Sequence, residues 1–221
     1  MDKKSFLQAG HTPTLIAAFL YFDLAFMVWV ILGPLAVGIA ADLGLSHAQK
    51  GLIVATPVLA GAILRMIMGV VVDRLSPKKA AIIGQLVVIG ALAYAWLVGV
   101  HSFNEVLVLG VFLGVAGASF AAALPLASRW YPPEHQGTAM GIAGAGNSGT
   151  ALAVLFAPPL AVAYGWQAVY GIAAVCMLLP IVVMAVFAKE PPDVEHQSLR
   201  EHIACLFEKD GWAFSLIYVV T

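Results

Sequence analysis

Two ionisable side chains interrupt long apolar runs in this sequence, Asp23 and Arg65. Each costs about 2.5–3.5 kcal/mol to place at mid-bilayer on insertion scales, so such groups face a partner or a polar cavity. The guanidinium of Arg65 keeps its charge and holds five donors in a planar fork. That fork suits a small planar oxyanion, which accepts two parallel hydrogen bonds. Gly61 and Gly69 stand one helical turn to either side and predict space beside Arg65. A structural ion pair between Asp23 and Arg65 is the competing reading, because a rise of about 1.5 Å per residue puts both at a similar depth. For Asp23 three roles stay open: proton carrier, counter-charge to Arg65 while the site is empty, or both.

The segment 137–159 is apolar yet carries glycine at 137, 141, 144, 146 and 149, with one amide, Asn147. Glycine costs roughly 1 kcal/mol against alanine in a soluble helix. In a membrane helix it lets a neighbouring backbone or a ligand approach. Asn147 can donate two hydrogen bonds without adding charge, and Gly144, Gly146 and Gly149 clear space around it. The plainer reading is a small-residue packing stripe with Asn147 bonded across it. Phe22, Phe26 and Phe120 either wall an anion site or simply pack.

The elements that must position these groups follow from composition. The chain has 221 residues, 62% hydrophobic and 10% charged, with a mean hydropathy of +0.94. Soluble domains carry about 25% charged residues, so this is a polytopic, all-α membrane protein. A spanning helix needs about 20 apolar residues. Six such runs appear, at 14–37, 50–72, 80–100, 104–127, 138–162 and 166–188. They define an N-terminal six-helix bundle over 1–188. A polar linker at 189–211 follows, and 212–221 begins a seventh apolar run too short to span. The expectation is the N-terminal part of a longer chain. Within the linker, Ser198 and Glu201 form a capping box, and Leu199, Ile203, Leu206 and Phe207 share one face, which predicts an amphipathic helix on the membrane surface.

Orientation follows from basic residues. With the N-terminus inside, Lys3, Lys4, Arg74, Lys78, Lys79, Arg129, Lys189, Arg200 and Lys209 fall on one side and only Lys50 on the other. The N-terminus is polar and does not read as a cleaved signal peptide. Cys176 and Cys205 imply no disulfide framework. Nothing in the composition points to a nucleic-acid partner.

Two charged turns lie on the basic side. One holds Asp73, Arg74, Ser76, Lys78 and Lys79; the other holds Arg129, Pro132, Pro133, Glu134 and His135. As chemistry they are short solvated turns, and Asp73 can also sit at a neighbouring helix N-terminus, where the macrodipole favours negative charge.

The first turn, from Gly69 through Asp73-Arg74 to Lys78-Lys79, resembles the signature between helices two and three of the major facilitator superfamily, with Ser76 where a glycine is usual. The segments 26–35, 59–74 and 117–142, with AGAGNSG at 143–149, resemble the nitrate/nitrite porter family of that superfamily. The resemblance covers nearly the whole chain. It implies a twelve-helix fold of two six-helix bundles with the substrate between them, of which this chain is the N-terminal bundle, cut at the start of helix seven. It further implies that Arg65 grips nitrate, that Asn147 contacts it among Gly144, Gly146 and Gly149, and that Asp73 with Arg74, Arg129 and Glu134 acts in gating against the other half.

The function so implied is alternating-access transport of nitrate and nitrite across the inner membrane, without a cofactor. Nitrate is a very weak base, so proton-coupled symport needs a protein carboxylate, and Asp23 is the intramembrane candidate. Nitrate/nitrite antiport, or a carrier of another small anion, is the alternative. A different class enters through Ser148 in GNSG, an intramembrane serine protease. That chemistry needs a histidine base, and all six histidines lie in or beside polar breaks. No catalytic residue is therefore assigned, and no intramembrane His/Cys/Glu cluster predicts a metal.

Overall fold

The structure is a computed structural model and describes residues 5–192 and Trp212. The described residues contain six helices of membrane length: Thr12–Asp42, His47–Leu75, Pro77–Leu97, Phe103–Ser128, Pro133–Tyr164 and Trp166–Phe187. All six apolar runs are helical because lipid leaves backbone groups no partner outside their own segment. The amphipathic helix expected around Leu199–Phe207, and the seventh run at 212–221 beyond Trp212 itself, lie outside the described residues.

Helix ends extend past the apolar runs where the sequence supplies caps. His11 caps the first span through its side chain, with a proline in the first turn. Ser46 and Gln49 form a reciprocal capping box at the start of the second, satisfying two N-terminal amides at once. Proline opens the third and fifth spans, where a missing N–H costs nothing. At the end of the bundle remote from the N-terminus, all three turns carry a glycine at positive φ, Gly44, Gly99 and Gly165.

Four spans are interrupted. The first breaks at Val30–Ile31, because Pro34 has no N–H for the Val30 carbonyl; Gly33 N–H bonds that carbonyl instead at 2.9 Å. The fourth breaks around Ala118 and Ser119. The fifth tightens to a 3-10 turn over Ala145–Ser148. The sixth breaks at Met177, whose carbonyl accepts a hydrogen bond from the buried Gln85 amide at 3.0 Å.

The first and fourth spans are the most buried, and the second and fifth the least. Two apolar clusters stack along the bundle. Tyr21, Phe22, Leu126, Tyr131 and Met184 belong to the one toward the N-terminal end. Leu32, Leu35, Ile53, Leu92 and Tyr170 belong to the other. The second and fourth spans meet backbone to backbone: a Cβ on Gly114 would stand 2.8 Å from the Gly61 amide nitrogen. Close approach of this kind is how membrane helices gain packing energy without a hydrophobic drive.

Candidate functional site

Arg65 reaches from the second span to the fourth. Its Nη2 donates to the Gly117 carbonyl at 3.3 Å, a group exposed by the break at Ala118. Its guanidinium carbon lies 5.3 Å from the centroid of the Phe120 ring, within cation–π range. Phe120 in turn sits 5.5 Å from Phe22, and Phe22 sits 4.3 Å from Phe26. Arg65, Phe120, Phe22 and Phe26 thus form one continuous row across three spans.

The space expected beside Arg65 is only partly there. Gly61 faces the Trp29 indole, which lies 2.9 Å from where its Cβ would be. Trp29 Nε1 donates to the Pro57 carbonyl at 2.8 Å and locks the ring in place. Gly61 therefore serves helix packing, whereas Gly69 opens onto free space. A tryptophan 32 positions away in sequence, counting from Trp29 to Gly61, gave the sequence no means of revealing this.

Asp23 and Arg65 do not form an ion pair. Asp23 is 8% exposed, and its Oδ1 accepts a hydrogen bond from Ser148 Oγ at 2.6 Å. Its carboxylate is thus bonded to the fifth span. The sequence offered Ser148 only as a nucleophile, and the Asp23 bond across 125 residues leaves no signal in the sequence.

The glycines of the fifth span divide between two sides. A Cβ on Gly146 would meet Phe22 Cδ1 at 2.7 Å and Asp23 N at 2.8 Å, and one on Gly149 would strike the Asp23 carbonyl oxygen. Those two bring the first and fifth spans into contact. Gly137, Gly141 and Gly144 meet nothing, and Asn147 is exposed. The expectation that Gly144, Gly146 and Gly149 all clear space around Asn147 is thereby corrected: Gly146 and Gly149 are filled by the first span, and Gly144 alone stays open. The Asn147 carbonyl accepts from Thr150 Oγ1 at 2.8 Å.

At the N-terminal end the two charged turns meet. Arg129 Nη2 lies 3.7 Å from Asp73 Oδ1. Arg74 and Glu134 are exposed, Glu134 in the first turn of the fifth span. Glu190 brings a carboxylate to the third span's N-terminus. Glu190 accepts from Ser76 Oγ at 2.5 Å and from the Lys78 amide at 3.4 Å. Lys78 Nζ reaches back to the Ala188 carbonyl at 2.6 Å. Opposite charges thus sit at two adjacent helix ends, as the macrodipoles favour. Ser76 itself has φ 117 and ψ 153, a backbone region close to glycine-only.

The described residues thus combine six membrane-length helices, an arginine inside one span and paired charged turns at one end. Residues 16–219 match the Major Facilitator Superfamily, and the chain belongs to it. Among relatives, it is 33% identical over 184 residues to a protein of Mycobacterium tuberculosis named a probable nitrate/nitrite transporter, NarK2, covering 83% of this chain and 47% of that one. It is 28% identical to the nitrite extrusion protein of Bacillus subtilis, over 89% of this chain and 49% of that protein. It is 34% identical to a probable nitrate transporter, NarT, of Staphylococcus carnosus, over 74% and 40%. The chain spans about half the length of these relatives or less. Among solved structures it is similar in fold to the human organic anion transporter MFSD10 (TETRAN), with a TM-score of 0.65 at 15% identity over 86% of this chain and 52% of that one.

Proposed function

We propose that this chain is one half of a nitrate/nitrite carrier of the inner (cytoplasmic) membrane, N-terminus inside, working by alternating access with a second six-helix bundle. The observation that carries the reading is the placement of Arg65: its guanidinium is anchored to the Gly117 carbonyl and the Phe120 ring within the bundle. The spans bearing Arg65 and Asn147, the second and fifth, are also the least buried, which supports a partner bundle covering both. Arg65 binds nitrate or nitrite, Phe26 and Phe120 wall the site, and Asn147 contacts the anion beside the open Gly144. Gly146 and Gly149 shape the site indirectly, by seating the fifth span on the first. Asp73, Arg74, Arg129 and Glu134 gate it against the other bundle. The reaction is transport without covalent chemistry, and it requires no cofactor.

Asp23 carries the proton in a proton/nitrate symport. Its bond to Ser148 instead of Arg65 favours this role over that of counter-charge. Nitrate/nitrite exchange is the alternative if Asp23 is only structural.

The test is nitrate uptake by the complete transporter in proteoliposomes. Arg65→Lys replaces a planar fork by a point charge and abolishes uptake. Uptake at wild-type rate overturns the site assignment.

A further inference from the structure

Ser148 ends the 3-10 turn Ala145–Ser148 that interrupts the fifth span. Its hydroxyl donates to Asp23 Oδ1 at 2.6 Å. The residues flanking it explain how a short side chain reaches so far into a neighbouring helix. Gly146 and Gly149 bring the two backbones so close that a Cβ at either position would collide with Phe22 or Asp23. A 3-10 turn has 3.0 residues per turn against 3.6 in an α-helix, so over four residues the two differ by about 80° of rotation. The local pitch therefore decides whether Ser148 faces Asp23, and in this turn both Asn147 and Ser148 are exposed.

Charged groups on the surrounding elements stand elsewhere. Arg65 on the second span is bound to Gly117. Arg129 after the fourth span is paired with Asp73, and Glu105 lies in that span's first turn at the far end. Glu134 and His135 open the fifth span, about 20 Å from Ser148 along its axis. The sixth span, Trp166–Phe187, contains no Asp, Glu, Lys, Arg or His.

We propose that Ser148 is the positioning residue for Asp23: its hydroxyl holds the carboxyl group in place by a hydrogen bond, and a change of pitch in the Ala145–Ser148 turn breaks that bond and frees Asp23 for its part in proton transfer while re-aiming Asn147. Proton and anion sites then share one four-residue turn. The proposal rests on the reading of Asp23 as proton carrier.

The experiment uses the complete transporter in proteoliposomes, with nitrate uptake driven by a pH gradient measured across a pH series. Nitrate/nitrite exchange at equal pH reports whether the anion site is assembled. Ser148→Ala removes the donor that holds the Asp23 carboxyl group. The pH profile of gradient-driven uptake shifts while exchange at equal pH is retained. Ser148→Thr, which keeps the hydroxyl, restores the wild-type profile. If Ser148→Ala does not assemble, Ser148→Cys, a weak donor of similar size, gives a smaller shift in the same direction. An unshifted profile in whichever variant supports exchange, with Asp23→Asn abolishing pH-driven uptake, overturns the role of Ser148 alone. PH-driven uptake that survives Asp23→Asn overturns the proton-carrier reading beneath it.

Discussion

The indole of Trp29 occupies the space a side chain on Gly117 would need, with Cδ1 2.8 Å from the position of that Cβ. The ring also fills the notch at Gly61 and donates to Pro57, so it wedges the first span between the second and fourth. Overpacking of this kind costs about 1–3 kcal/mol. Gly117→Ala accordingly lowers the melting temperature in detergent and shifts the carbonyl that holds Arg65.

The Phe120 ring is the aromatic partner of Arg65. Cation–π contacts are worth about 0.5–2 kcal/mol. Phe120→Leu keeps the apolar bulk but loses the ring face, and raises the KM for nitrate by about 2- to 30-fold. Phe120→Tyr keeps the face and stays near wild type. Uptake assays over a nitrate series distinguish the two.

Ser76 combines a strained backbone with a strong hydrogen bond to Glu190. The strain costs about 1–3 kcal/mol, and a hydrogen bond to a charged group contributes about 1.5–3 kcal/mol. Ser76→Gly relieves the first and loses the second, leaving thermal stability nearly unchanged. Ser76→Ala loses the bond and keeps the strain, and unfolds at a clearly lower temperature.

His11 caps the first span by accepting the Thr14 N–H on Nδ1 at 3.3 Å. Burial, then the nearby Lys189 ammonium, holds its imidazole below the ordinary 6.5. A cation at a helix N-terminus is also opposed by the macrodipole. The unfolded chain thus binds the proton more readily than the folded one. The cap's contribution is present above pH 6.5 and is lost as pH falls through the lower folded value. Melting curves from pH 7.5 to 5 show this decline. His11→Asn, which retains a capping acceptor, removes that component of the pH dependence.

Span number and fold class were legible in the sequence alone, because a helix in lipid must satisfy its own backbone and needs about 20 apolar residues to do so. The two intramembrane charges, Asp23 and Arg65, and the charged turns were equally visible, since each departs from an apolar background. The unusual Ser76 was visible as a departure too, although only its φ of 117 shows why glycine suits that position. Tertiary structure decided what each group touches. The Asp23–Ser148 bond joins residues 125 apart in sequence, and the Trp130 Nε1–Lys189 carbonyl bond joins residues 59 apart. Hydropathy and helical periodicity report how a helix meets its solvent. They do not report which neighbouring helix fills a given glycine, so Gly61 and Gly146, Gly149 and Gly144 could be told apart only once the helices were packed.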